Sequence, residues 1–348
     1  MAGLFSFRGE DVGIDLGTAS VLIYMRGKGI VLREPSVIAM VSDTKEVKAV
    51  GAEAYRMLGR TPGNIVAARP LKDGVIADYT LTERMLTLFI KKVLPPLRFF
   101  RPQVMVGVPS GVTEVERRAV VQAIVEAGAK RAYLIDEPLA AAIGAGIKIA
   151  EPTGSMVVDI GGGSSDIAVI SLGGIVRSTS LRIAGNEFDD SIIRFIRNKY
   201  NLLIGERTAE ELKIKIGAAK LAPGEQGMVA EVRGRDLISG LPKSIEVTTD
   251  DVIEALKEPL EKIVQGVKSV LETTPPELVA DIIDRGILLT GGGALLRNLD
   301  LLLQEATGVP VVVAENAVEA VALGTGKALD MLHVLRDALV TSDNVLRR

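Results

Sequence analysis

Residues 156–174 read MVVDIGGGSSDIAVISLGG: an apolar strand, an aspartate, three glycines, two serines and a second, alternating strand. The pattern predicts a β-hairpin whose tight turn offers backbone N–H groups of Gly161, Gly162 and Gly163, and hydroxyls of Ser164 and Ser165, to an anion such as a polyphosphate. Taken alone, three glycines are equally well explained as a hairpin loop that needs positive φ. The motif recurs, however. Residues 12–29 read VGIDLGTASVLIYMRGKG, again a strand, Asp15, a turn of Gly17, Thr18, Ala19 and Ser20, and an alternating strand.

A third turn, TGGGA at 290–294, follows an apolar run and is expected to open a helix over 295–304. Glycines there would let a ligand approach the backbone at a helix start, through Gly291, Gly292, Gly293 and Ala294. Two hairpins of one design and a late strand–glycine–helix suggest two similar half-molecules facing one nucleotide across a cleft. Asp15 and Asp159 would then hold a hydrated magnesium ion on the phosphate tail, since that ion takes oxygen ligands and keeps several waters. The alternative for each aspartate is a turn residue bonding its own backbone.

Outside these turns, strands alternate with helical patterns, which predicts α/β folding on mainly parallel sheets with helical crossovers. Residues 103–108 read as a buried strand, and Thr113 with Glu116 forms a capping-box signature ahead of a helix. A strand at 132–135 leads into Glu137 and the small-residue helix LAAAIGAG. Glu137 falls beyond the carboxyl end of its strand, where it can orient a water toward a γ-phosphate or simply favour a helix dipole. Residues 33–70 read as a small insertion outside the main sheet, and 225–247 as a second. The helix over 205–217 carries Glu210, Glu211, Lys213 and Lys215, several of them on one face. A helix is expected over 250–271 despite Pro259, and another over 317–335.

The chain has 348 residues, 47% hydrophobic and 24% charged, so two domains with ample core are expected. A net charge of −3 and no long basic run argue against nucleic acid as a partner. With no cysteine and the single His333 in a late helical pattern, any general base is a carboxylate or a positioned water. The start, MAGLFSFRGED, lacks the basic region of a secretory signal, and no stretch reaches the roughly 18–20 apolar residues of a spanning helix. A cytoplasmic protein is expected. Residues 97–100 read LRFF, placing Leu97, Phe99 and Phe100 in a loop between arginines. These rings either fold back into the core or insert into a membrane surface with Arg98 and Arg101 at anionic head groups.

The strings DLGTAS, DIGGGSSD and TGGGA resemble the phosphate and adenosine loops of the actin-like ATPase superfamily. Within it the chain resembles the MreB bacterial actins from residue 13 to about 329, through KGIVLREPSV, GRTPGN, RPLKDGVIADY, VPSGVTEVERRA, LIDEPLAAAIGAG, NLLIGERTAEELK and ALGTGKAL. The resemblance implies an actin-like two-domain ATPase fold with duplicated mixed sheets and two small insertion subdomains. It divides the chain into 1–145 with 322–348, carrying an insertion at 33–70, and 146–321, carrying one at 184–247. It implies ATP with Mg2+, slow hydrolysis, and paired antiparallel filaments of the protein with itself on the inner face of the cytoplasmic membrane. Partners would be that membrane's lipids and wall-elongation membrane proteins of the MreC, MreD and RodZ type. Residue by residue, Asp15, Gly17, Thr18, Ala19 and Ser20 match the first phosphate loop, and Asp159, Gly161, Gly162, Gly163, Ser164 and Ser165 the second. Gly185, Glu210, Glu211 and Lys213 match the sugar and base contacts, and Glu137 with Ser164 the catalytic pair. One departure is Ser164-Ser165-Asp166, where the family commonly has Thr-Thr-Glu, so the attacking water is expected to be held more loosely. A sugar-type kinase and a chaperone-type ATPase share the fold, but no separate sugar-binding stretch or following peptide-binding domain is found.

Overall fold

The VGIDL run forms β1 (Val12–Leu16), which turns back into β2 (Ser20–Met25), and β2 pairs in turn with β3 (Gly29–Pro35). Arg33, Glu34 and Pro35 thus continue the main sheet, and the outlying block starts later than the sequence suggests. It comprises β4 (Ile38–Val41), β5 (Val47–Val50), the short α1 (Ala52–Met57) and β6 (Ile65–Ala68), paired in the order β5-β4-β6. Val37, Ala39, Ala49 and Ala54 form a core of its own. The molecule is described here by a computed structural model covering residues 11–94, 101–335 and 338–342. It divides into two compact units, Met1–Ala150 with Glu319–Arg348, and Glu151–Val318.

In the first unit a small hairpin, β7 (Leu71–Lys72) and β8 (Val75–Ile76), precedes α2 (Tyr79–Val93), whose first turn is capped by Asp78 accepting from the Leu81 N–H at 2.9 Å. The buried β9 (Gln103–Val108) follows, then α3 (Glu114–Glu126), opened by the Thr113–Glu116 capping box. β10 (Arg131–Asp136) runs into α4 (Glu137–Gly144). The sheet order is β10-β9-β1-β2-β3, with β9 and β10 parallel to β1. Their near-continuous apolar sequences follow from burial on both faces.

The second unit repeats this order. β11 (Ser155–Ile160), β12 (Ser165–Ser171) and β13 (Gly174–Leu181) are successive antiparallel strands. Then come α5 (Gly185–Tyr200), β14 (Leu202–Leu203), α6 (Glu206–Ile216), β15 (Val229–Asp236) and β16 (Pro242–Thr248), with β14-β15-β16 as a separate sheet. The long α7 (Thr249–Thr273) carries Pro259 in its interior. α8 (Pro276–Arg285) follows, a helix that the run TTPP does not announce. β17 (Ile287–Thr290) and β18 (Val311–Val313) add in parallel to β11, giving β13-β12-β11-β17-β18. Between them the helix expected over 295–304 is displaced. Gly292–Leu295 is a 3-10 turn, Asn298 is left-handed at φ 60°, and α9 begins at Leu299 (Leu299–Thr307).

The chain returns to the first unit in α10 (Ala320–Ala328), and β19 (Val340–Thr341) pairs antiparallel with β10. The helix expected to reach residue 335 stops at Ala328, and His333 lies in a turn beyond it. Arg26, in the turn after β2, ion-pairs with Asp330, and the chain beyond Ala328 runs on in turns.

Candidate phosphate loops and carboxylates

In the first unit β1 delivers Asp15 to its carboxyl end, level with Gly107 of β9, which is itself level with Ile135 of β10. Glu137 is the first residue of α4 after β10 and is buried. Gly107 lies level with Asp15, and a Cβ there would stand 2.8 Å from Val321 and 3.4 Å from the Glu137 Cγ. Gly107 is a site residue that sequence reasoning misses; its signal is a lone glycine inside an apolar strand. Beside it, burial raises the Asp136 carboxyl above its ordinary value, with Arg117 at 3.6 Å opposing the shift.

The first turn is braced from outside the motif. The Ser36 hydroxyl donates to the Gly17 carbonyl at 2.6 Å, and the Ser36 N–H to the Ala19 carbonyl at 3.0 Å. Thr18 is buried and its Oγ1 accepts the Gly74 N–H at 2.9 Å, which fastens the turn to the β7–β8 hairpin. A hydroxyl that accepts still has its proton to donate. Gly17 has no positive φ, yet a Cβ there would lie 2.8 Å from the Ser20 carbonyl, so close approach and not turn conformation requires glycine.

In the second unit Gly161, Gly162 and Gly163 likewise have no positive φ, which removes the plain hairpin-loop explanation. The Gly161 N–H donates to the Ser164 carbonyl at 2.9 Å and closes the turn. The first N–H groups of α5, on Gly185 and Asn186, donate to the carbonyls of Gly161 and Gly162 at 3.1 and 2.8 Å. With those negative ends occupied, the turn is better disposed toward an anion. Ser164 is buried within the turn. Ser165 does something other than expected: its hydroxyl donates to the Ile183 carbonyl at 2.5 Å, so it anchors the chain entering α5.

Asp159, next to last in β11, lies opposite Asp166 of β12 and beside Thr290 of β17. It is 4% exposed, and the Thr290 hydroxyl donates to its Oδ1 at 2.7 Å. Burial pushes its carboxyl up to about 7; the Thr290 hydrogen bond opposes that shift and the Asp166 charge adds to it. A buried carboxylate so disfavoured as an anion suits a site that gains a cation with its ligand. Among the described residues, however, no three His, Cys, Asp or Glu side chains gather as a metal cage.

The late glycines divide by role. Gly291 has φ 82°, and a Cβ on it would stand 2.3 Å from the Ile160 carbonyl; a Cβ on Gly293 would meet the Ile160 side chain at 2.3 Å. Both serve packing against β11. Gly292 is exposed with nothing within 4 Å of its Cβ position, which leaves it as the one open to a ligand. Ala294 is buried.

Lys213 of α6 reaches the start of α5, donating to the Gly185 carbonyl at 3.0 Å and pairing with Asp189 at 2.9 Å. Glu210 is three residues away on the same helix side. Glu211 is two residues from Lys213, about 200° round the helix, and pairs with Arg207 on the exposed face at 2.8 Å. The structure therefore does not bring Glu211 to Gly185 and Lys213. Leu97, Phe99 and Phe100 lie outside the described residues, as do Phe5 and Phe7. Among the described residues no helix is long and apolar enough to cross a membrane.

A sequence model of the MreB/Mbl protein family matches residues 9–337. The chain is 55% identical over 326 residues to the cell shape-determining protein Mbl of Bacillus subtilis, covering 94% of this chain and 97% of that protein. It is 55% identical over 338 residues to the cell shape-determining protein MreB of Escherichia coli K12, covering 95% and 96%. Among solved structures, MreB5 of Spiroplasma citri bound to AMPPNP superposes with a TM-score of 0.89 at 38% identity, covering 95% of this chain and 99% of that one. The MamK double helical filament shares the fold, with a TM-score of 0.77 at 22% identity over 92% and 98%.

Proposed function

The chain belongs to the MreB/Mbl family, and on that premise we propose that it is an ATP-driven bacterial actin. It binds ATP with magnesium, hydrolyses it slowly and polymerises into paired antiparallel filaments on the inner face of the cytoplasmic membrane. There it directs wall synthesis, with membrane proteins of the elongation machinery, to keep a rod shape. The carrying observation is the duplication: two sheets of one strand order, each with an aspartate next to last in its first strand, before a glycine and hydroxyl turn. Two relatives at 55% identity are named as cell shape-determining, and MreB5 of Spiroplasma citri has been solved with AMPPNP and with ADP.

In this reading Asp15, Gly17, Ala19, Ser20, Asp159, Gly161, Gly162, Gly163 and Ser164 hold the phosphates, with Thr18 and Ser165 bracing the turns. Gly185, Glu210 and Lys213 take the sugar and base, and Gly292 faces the adenosine. The two small sheets are the outer subdomains of a four-part actin. Asp15 and Asp159 would hold magnesium, which would neutralise charge on the polyphosphate. Glu137 accepts a hydrogen bond from the attacking water, and assembly brings that water into line. ATP thus sets the conformation competent to polymerise, and hydrolysis afterwards weakens the filament. Glu137→Ala is expected to bind ATP within about threefold of the parent while phosphate release slows roughly 100-fold or more. Equal loss of binding and turnover would contradict the role.

A further inference from the structure

We propose that Asp189 determines nucleotide specificity by position: it converts Lys213 from a phosphate counter-ion into a hydrogen-bond donor for the uncharged nucleoside. The inference rests on the ATP reading above and concerns a residue that reading does not use.

A lysine ammonium has three N–H donors. In this structure the Gly185 carbonyl takes one at 3.0 Å, and Asp189 Oδ1 stands 2.9 Å from the ammonium as its ion-pair partner. One donor remains beyond these two partners. The pair is well shielded, with the Lys213 side chain 16% and the Asp189 side chain 12% exposed, so solvent and salt screen it little. Glu210 and Asp190 add negative charge around Asp189, which burial already raises to about 6 against the opposing pull of Lys213. The Lys213 ammonium thus faces Asp189 directly with Glu210 and Asp190 nearby, Asp190 also feeling the Arg194 charge. A phosphate oxygen gains little there, whereas a ribose hydroxyl or a ring nitrogen can accept the remaining N–H without charge repulsion.

The same pair also acts on the phosphate turn. Lys213 holds the Gly185 carbonyl, and the N–H groups of Gly185 and Asn186 hold the carbonyls of Gly161 and Gly162. A Cβ at Gly185 would lie 3.3 Å from the Gly161 carbonyl and 3.5 Å from the Lys213 Nζ, so the three groups are in close packing. Asp189 therefore acts on both ends of the ligand, by fixing the lysine whose ammonium holds the Gly185 carbonyl next to the phosphate turn.

The test compares ATP with inorganic tripolyphosphate, which carries the phosphates and no nucleoside, in equilibrium binding to the full chain with magnesium. The parent is expected to prefer ATP. Asp189→Asn frees the lysine charge, so ATP affinity should fall about tenfold while tripolyphosphate affinity holds or rises, and Asp189→Glu should restore most of the preference. Lys213→Gln, which can still donate to Asp189, should weaken ATP and spare tripolyphosphate; it serves if Asp189→Asn does not fold. Equal weakening of both ligands in Asp189→Asn, or no change in either, would overturn the proposal alone. A parent chain that binds no ATP would overturn it together with the reading it rests on.

Discussion

Asp159 illustrates what a buried carboxylate costs before its ligand arrives. Its folded-state value of about 7 stands above the ordinary 3.8, so between those pH values the folded chain keeps a proton that the unfolded chain has lost. Stability contributed by this group therefore falls as pH rises from about 4 to about 7 and is flat above. Replacing it by Asn removes the titration. In nucleotide-free protein, the parent should lose roughly 2–3 kcal/mol more than Asp159→Asn between pH 5 and pH 8, measured by denaturant melts. Parallel curves would show that burial does not govern this group. The two aspartates and their glycine turns are legible in the sequence because strand alternation and turn chemistry are local. The braces are not. Ser36 reaches Gly17 across 19 residues, Gly74 reaches Thr18 across 56 and Thr290 reaches Asp159 across 131, separations that no local pattern encodes.

At the level of elements, α4 and α10 cross closely enough to exclude any side chain at two positions. A Cβ on Gly144 would stand 1.8 Å from the Ala320 carbonyl, and one on Gly324 1.7 Å from the Ala140 carbonyl. The Lys327 ammonium donates to the Gly144 carbonyl at 2.8 Å and closes the crossing. Because Glu137 opens α4, this contact sets where that carboxylate sits. Gly324→Ala is expected to cost about 3 kcal/mol in urea unfolding, since backbone and not a flexible side chain must yield. Gly63→Ala, at an exposed position with nothing within 4 Å, should change stability by less than about 0.5 kcal/mol. Equal effects would contradict the close crossing. Element by element, strands such as β9 and capped helices such as α3 follow directly from pattern and capping signals. α8 is missed because Pro275 and Pro276 read as breakers, whereas Pro276 takes the first helical position, where its missing N–H costs nothing. The delayed start of α9 has a long-range cause. Asn298 is held left-handed while its side-chain amide donates to the Lys220 carbonyl at 2.9 Å and to Glu225 at 2.6 Å.

For the whole molecule, the repeated strand order means that one structural idea is used twice and then diversified. The residue level with the first aspartate on the neighbouring hairpin strand is Leu22; its counterpart in the second unit is Asp166. A second buried acid beside Asp159 adds to the burial that raises its carboxyl, a charge pairing the first unit lacks at Leu22. The most direct test is sedimentation with anionic liposomes, with magnesium and ATP or with nucleotide omitted, followed by negative-stain electron microscopy. The combined change of Leu97, Phe99 and Phe100 to Ser is run beside the parent. Paired filaments lying on vesicles only when ATP is present are expected, with filaments but no vesicle binding from the triple variant. A chain that binds ATP yet forms no polymer under any of these conditions would contradict the bacterial-actin reading and leave the fold alone standing.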